Sequence, residues 1–272
     1  MDGLFSAAAV RKELDAALRG VEVVVKDTVG STNDTAQELF MDRPPGSFLL
    51  VAANEQGVGR GRRGRQWASP KGAGLLMSIA LSYPSGAEAP YAEWPLLAAV
   101  AVRRAIVAAT GLAVGLKWPN DLLLEGRKVC GILTELCANR GGRYLVIGVG
   151  LNVNTEAADF PPDIAARATS LRIRADRMFD RAVLCARIVE QIHEVYADTL
   201  AGARFAAWRD EWVSHCATLG NYVRIAQGDR VIEGMAHSLT ERGTLQVVTG
   251  RGEWCEVASG EIVELGTRTM LI

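Results

Sequence analysis

The sequence predicts an α/β protein built on a mixed sheet, followed by a small all-β unit, and three observations carry that prediction. Short β-branched runs such as "VEVVVKD" and "YLVIGVG" alternate with longer helical stretches over most of the chain. From Gly220 onward helical periodicity disappears, and short strands are separated by "GD", "RG" and "GRG" turns, as in a small β-barrel. The chain has 272 residues, 49% of them apolar, and a formal net charge of −1. That composition can bury a core, and it excludes disorder and broad polyanion binding. The change of texture sets a domain boundary near His215 to Gly220, dividing residues 1–217 from residues 218–272.

Taken in order, "MDGLFSAAAVRKELDAALRG" reads as an amphipathic helix, because its acidic second residue and interrupted apolar run do not suit a signal peptide. The cytoplasm is therefore the expected location. "VEVVVKDTVGSTNDTAQELF" gives a strand, a turn and a helix, with Ser31 as N-cap, Asp34 completing a capping box, and Leu39 and Phe40 on the apolar face. "GSFLLVAANEQ" and "GAGLLMSIALSY" are strands, and a helix runs from Trp94 to Thr110 until Gly111 stops it. That helix carries Arg103 and Arg104 and is too short to span a bilayer, so it belongs to the core. "GLKWPNDLLLEGRKVCGILTEL" is a strand, a turn, a short strand reversing at Glu125-Gly126, and a longer strand from near Lys128. "YLVIGVGLNVN" is a buried strand, and Asp180 caps a helix whose Leu184, Ile188, Ile192 and Val195 form one stripe, leaving His193 off it in solvent.

Five cysteines with no C-x-x-C pair, and only three histidines, argue against a disulfide framework or a zinc site and for reduced, buried thiols. Cys216 beside His215 resembles a thiol and its base, but sequence neighbours are not thereby spatial partners.

The segment "NEQGVGRGRRGRQW", Asn54 to Trp67, holds four arginines and four glycines. Gly59-Arg60-Gly61-Arg62-Arg63-Gly64 matches G-x-G-x-x-G, yet "RQWASPKG" breaks any following helix and no acidic residue stands about twenty positions on, so the dinucleotide fingerprint fails on context. A nucleic-acid loop fits poorly with the balanced charge and the lack of interleaved aromatics. A mobile clamp for phosphate or acyl-adenylate fits better: glycines let backbone approach a ligand, and guanidiniums give charge-assisted hydrogen bonds to its oxygens.

In order along the chain, "GSTN", "EQGVGRGRRGRQW", "KWPNDLLLEGRKVCGILTE" and "GVGLNVN" resemble the biotin protein ligases over nearly the whole sequence, including the C-terminal "SGEIVEL". The resemblance implies an α/β catalytic domain of the class II synthetase and biotin/lipoate ligase type, followed by an SH3-like barrel. It implies a ligase that makes biotinyl-5'-adenylate from biotin and ATP with magnesium, then transfers biotin to a lysine of a biotin carboxyl carrier domain, such as that of acetyl-CoA carboxylase. The chain starts almost directly at the catalytic domain, so a monofunctional ligase without a helix-turn-helix repressor domain is expected, with no nucleic-acid or membrane partner. Homodimers through the catalytic sheet are frequent among such enzymes.

Carried over by motif, the resemblance implies biotin contacts from Ser31, Thr32, Asn33, Gln56, Gly59, Arg60, Gly61, Trp118, Lys128 and Gly131. It implies ATP or adenylate contacts from Arg62, Arg63, Arg65, Trp67, Lys117 and Asn152. Lys128, Arg62 and Asp121 are the implied catalytic residues, with magnesium arriving on ATP near Asp121. Several have a plainer reading: Ser31 a helix cap, Asp121 and Asn152 turn formers, Lys128 an exposed strand lysine, Lys117 a partner for a nearby carboxylate, Trp118 and Gly131 core packing. A lipoate or octanoate ligase, a non-catalytic biotin sensor and a nucleic-acid-binding module are the alternatives.

Overall fold

The β-branched runs form a seven-stranded sheet in this computed structural model, which describes residues 5–228 and 230–266. The start of the expected first helix and the end of the C-terminal unit lie outside the described residues. The larger region runs α1 (Ala7–Glu13), β1 (Glu22–Val29), α2 (Thr32–Phe40), β2 (Phe48–Gln56), β3 (Leu75–Ser82), α3 (Trp94–Thr110), β4 (Gly115–Lys117), β5 (Asp121–Leu124), β6 (Arg127–Asn139) and β7 (Gly142–Leu151). Four helices follow: α4 (Pro162–Ala165), α5 (Leu171–Ala175), α6 (Arg181–Leu200) and α7 (Arg209–Ser214). The sheet order is β1-β2-β3-β7-β6-β5-β4. β1 and β2 are parallel and every other neighbouring pair is antiparallel, which is the mixed sheet predicted.

The two faces of this sheet are covered differently. Leu50, Ala52, Met77, Ile79 and Leu81 point to the main core beneath α3 and α6. Leu49, Val51, Ala80 and Val146 point the other way, onto Ala36 and Phe40 of α2. The two-residue period of β3 therefore turns Ser78, flanked by apolar residues, toward α2. Helix α3 has the predicted bounds and ends on Gly111, whose φ of 74° no branched residue would adopt without strain.

Asp180 caps α6 by accepting from the amides of Ala182 and Val183. The expectation for His193 is corrected: its ring is half-buried edge-on to Phe48, with centroids 5.4 Å apart, and burial lowers its pKa. Leu39, expected on the buried face of α2, is exposed. The first helix is also shorter than expected and gives way to a tight turn at Ala16–Leu18. All five cysteines are free, but only Cys130 and Cys185 are buried. Burial pushes Cys185 up to about 12 and raises Cys216 too, which leaves those thiols inert.

The second sheet comprises β8 (Tyr222–Gln227), β9 (Arg230–Leu239), β10 (Leu245–Thr249), β11 (Trp254–Val257) and β12 (Glu261–Gly266), all antiparallel, in the order β11-β10-β9-β8-β12. It is locked to the first sheet by Trp118. The indole is 1% exposed and donates to the Gly243 carbonyl at 3.1 Å, while the Trp118 amide donates to Thr218 Oγ1. Among the described residues no helix is long and apolar enough to cross a membrane.

Candidate active site

The glycine-arginine segment is a folded hairpin rather than a loose loop. Arg60 pairs with Gln66 in an antiparallel bridge, the Gly61 amide donates to the Arg65 carbonyl, and the Trp67 amide donates to Gly59. At its root the amides of Gly57 and Val58 donate to Val29 and Gly30, where β1 ends and α2 begins. Arg62–Gly64 makes one tight turn in which Arg63 takes a φ of 57°. No helix opens at Gly64, so the dinucleotide reading fails in the structure as it does in the sequence. A Cβ on Gly59 would collide with the Trp67 carbonyl, so glycine is required there.

Trp67 closes the hairpin onto a floor of glycines. A Cβ on Gly150 would lie 2.5 Å from its ring and one on Gly131 would lie 3.0 Å from it. Lys128 Nζ sits 5.6 Å from the ring centroid. The indole N–H is buried with no hydrogen-bond partner. Thus Gly131, Trp67 and Lys128 do come together, at the crossing of β6, β7 and the hairpin.

One end of the resulting cleft is neutral and buried. Ser31, Thr32 and Asn33 at the start of α2 are each 3% exposed. The capping box is corrected: the Ser31 side chain makes no cap hydrogen bond, and Asp34 instead meets Arg60 at 2.6 Å. The helix amide is satisfied from another strand, since Gln56 Oε1 accepts from Thr32 N at 2.7 Å and from Thr32 Oγ1 at 2.9 Å. Gln56 Nε2 consequently points away, toward Gly59. Ser78 Oγ lies 2.6 Å from Asn33 Oδ1 and 2.7 Å from Thr32 Oγ1. A hydroxyl has one proton, so these neutral groups have a fixed donor and acceptor polarity.

The other end is cationic. Lys128 Nζ pairs with Asp121 Oδ1 at 2.6 Å. Arg62 donates to Asn120 Oδ1 at 3.0 Å, Arg63 donates to the Ala226 carbonyl at 2.6 Å, and Arg65 pairs with Glu261 of β12 at 2.7 Å. Burial lowers the Arg62 pKa, Arg63 adds to the effect, and Asp121 and Glu261 oppose it. Burial also lowers the Lys117 pKa, with Asp121 opposing and Lys128 reinforcing. Five cations, Arg62, Arg63, Arg65, Lys117 and Lys128, thus share two carboxylates, Asp121 and Glu261, at this end. Such a surplus favours a polyanion small enough to fit a cleft.

One expected contact falls elsewhere. Trp118 is in the core with its N–H already bonded, so it offers no surface to a ligand and acts as a strut. Asn152 lies near Lys128, its amide accepted by the Thr169 carbonyl, so that donor holds the chain after β7 in place. Asp121 is flanked by cations, and among the described residues no group of three or more His, Cys, Asp or Glu is placed to hold a metal. A magnesium ion held by the protein alone does not fit these residues. Sequence reasoning overlooked Ser78, Glu261 and Gly150. A hydroxyl inside the apolar run "LLMSIAL" is a usable signal for the first, and the other two lie within "GVGLNVN" and "SGEIVEL", where residue type alone gave them no role.

The chain and its fold are similar to known proteins. Residues 25–152 match the model of the Biotin/lipoate A/B protein ligase family. The chain is 34% identical over 254 residues to the bifunctional ligase/repressor BirA of Bacillus subtilis (strain 168), covering 92% of this chain and 76% of that protein. It is 29% identical to the biotin–acetyl-CoA-carboxylase ligase of Mycobacterium tuberculosis, covering 88% of each. Among solved structures, the biotin protein ligase from Aquifex aeolicus in complex with biotin and ATP superposes with a TM-score of 0.75 at 28% identity, over 91% of this chain and 99% of that one.

Proposed function

The chain belongs to the biotin/lipoate A/B protein ligase family, among the biotin protein ligases, and on that premise we propose that it activates biotin with ATP and passes the biotinyl group to a lysine of a carrier domain. The observation that carries this reading is the division of one cleft into a neutral end of fixed polarity and an end where five cations share two carboxylates. Biotin has that division: an uncharged ureido ring with donors and an acceptor, and a carboxylate at the end of an aliphatic chain.

In the first step a biotin carboxylate oxygen attacks the α-phosphorus of ATP, the bond from that phosphorus to the bridging oxygen breaks, and pyrophosphate leaves. Two anions must approach and negative charge must move onto the leaving group, so fixed cations supply most of the assistance. Lys128 bridges the carboxylate and the α-phosphate, and Arg62, Arg63, Arg65 and Lys117 take the remaining phosphate charge. Magnesium bound to ATP would lower that charge further. In the second step the carrier lysine amine attacks the acyl carbon and AMP departs. Asp121 attracts the incoming ammonium and helps it lose its proton. The hairpin, with Trp67 as its lid, keeps water from the mixed anhydride.

Pyrophosphate exchange into ATP, measured with biotin, lipoate, octanoate or no acid, tests this. Biotin-dependent exchange is expected. Exchange with lipoate or octanoate alone moves the protein to the neighbouring ligases, and none with any acid overturns catalysis.

A further inference from the structure

Glu135, half-buried on β6, is used by nothing in the reaction above, yet its carboxylate is the meeting point of three elements. Its Oε2 accepts from Asn33 Nδ2 at 2.6 Å, from Gln37 Nε2 at 3.3 Å and from Arg60 Nη2 at 2.9 Å. Asn33 and Gln37 belong to α2, and Arg60 belongs to the entry limb of the hairpin. The same Arg60 nitrogen also meets Asp34 Oδ1 at 2.6 Å. This guanidinium is therefore turned away from the cationic end of the cleft and held between two carboxylates outside the hairpin. A carboxylate is an acceptor only, so Glu135 forces Asn33 to present its amide nitrogen to β6 and its oxygen to Ser78. A Cβ on Gly148 would occupy the space taken by that Asn33 side chain.

We propose that Glu135 is a positioning residue that sets two parts of the active site at once: the polarity of Asn33 at the neutral end, and the closed position of the arginine hairpin through Arg60. This rests on the ligase reading for its consequence in catalysis, but not for its consequence in hairpin position. Loss of the charge leaves one neutral carbonyl to satisfy Asn33 and Arg60 together, and charge-assisted bonds are about twice as strong as neutral ones. The hairpin then opens more often, and the ligand-facing polarity of the neutral end is no longer imposed.

The hairpin carries its own reporter, since Arg62, Arg63 and Arg65 are trypsin sites. Limited trypsin digestion of the whole free protein, followed by mass spectrometry, should show Glu135→Gln cut at these sites roughly tenfold faster than the wild type, the loss of one hydrogen bond to a charged group. Asp34→Asn, on an exposed side chain, should accelerate the same cuts by a smaller factor and serves if Glu135→Gln folds poorly. In pyrophosphate exchange Glu135→Gln should raise the KM for biotin with a much smaller change in kcat, and Asp34→Asn should leave the biotin KM nearer the wild-type value because it touches only Arg60. Wild-type cutting rates in both variants, at unchanged Tm, overturn the inference. Absence of exchange in the wild type overturns the ligase reading instead and leaves the digestion result standing.

Discussion

The neutral and cationic ends of the cleft satisfy their polar groups in opposite ways. Around Thr32, Asn33 and Ser78 the groups are nearly excluded from water and meet uncharged partners from α2, β2 and β3, with the Glu135 carboxylate of β6 holding Asn33 from the other side. Around Lys128, Arg62 and Arg65 the partners are carboxylates and a side-chain amide, and the side chains stay partly wetted, Arg65 at 61% and Lys128 at 36% exposure. The difference teaches how one cleft recognises two kinds of group. Buried neutral hydrogen bonds discriminate because an unmatched partner is left unsatisfied. Partly exposed ion pairs are individually weak and so can exchange Asp121 or Glu261 for phosphate oxygens.

Four measurements break or sharpen this contrast, beginning with the largest effect. Lys128→Ala should lower biotin-dependent pyrophosphate exchange by roughly 100- to 1,000-fold, the usual consequence of deleting one fixed group that stabilises transition-state charge. It should leave Tm nearly unchanged, because the pair it forms with Asp121 is partly exposed; unfolding would assign Lys128 to structure.

Ser78→Ala should act on the other end, raising the biotin KM while sparing the ATP KM. It should also destabilise the fold by about 1–3 kcal/mol, since buried Asn33 Oδ1 loses the hydroxyl that serves it. Equal changes in both Michaelis constants would erase the distinction between the two ends.

Raising ionic strength from about 0.1 M to about 1 M shortens the screening length from roughly 10 Å to roughly 3 Å. The ATP KM should therefore rise by several fold while the biotin KM moves less. A biotin KM that tracks salt as steeply would mean that charge, not the neutral network, dominates both.

The smallest effect lies outside the cleft. Burial lowers the pKa of His193, so below about pH 6.5 the unfolded chain takes up its proton before the folded chain does. The contribution of this residue to stability should fall as pH drops through that window and stay constant above it. His193→Phe should flatten the acid side of the stability curve measured by denaturant titration. An unchanged curve would show that the ring is more accessible than its contacts with Phe48 and Tyr196 suggest.

Much of the fold and part of the site could be read without coordinates. Local signals sufficed where the cause is local: Gly111 ending α3, Asp180 capping α6, and Glu125-Gly126 reversing β5 into β6, both residues with positive φ. They failed where a distant partner outbid the local one. Ser31 has the residue type and spacing of a cap, yet Gln56, from the adjoining strand, satisfies the helix amide instead. His193 falls off the apolar stripe of α6 but is covered by Phe48 of β2.

The sequence by itself determined the mixed α/β class, the change to short strands after Gly220, and the concentration of charge and glycine between Asn54 and Trp67, because periodicity, turn chemistry and composition are properties of neighbouring residues. Only the tertiary structure decided that Trp118 is a strut, that Ser78 and Glu135 stand behind Asn33, and that Glu261 reaches the arginines. Those facts depend on sheet order and strand register, which bring residues about 45, 100 and 200 positions apart into hydrogen-bonding range.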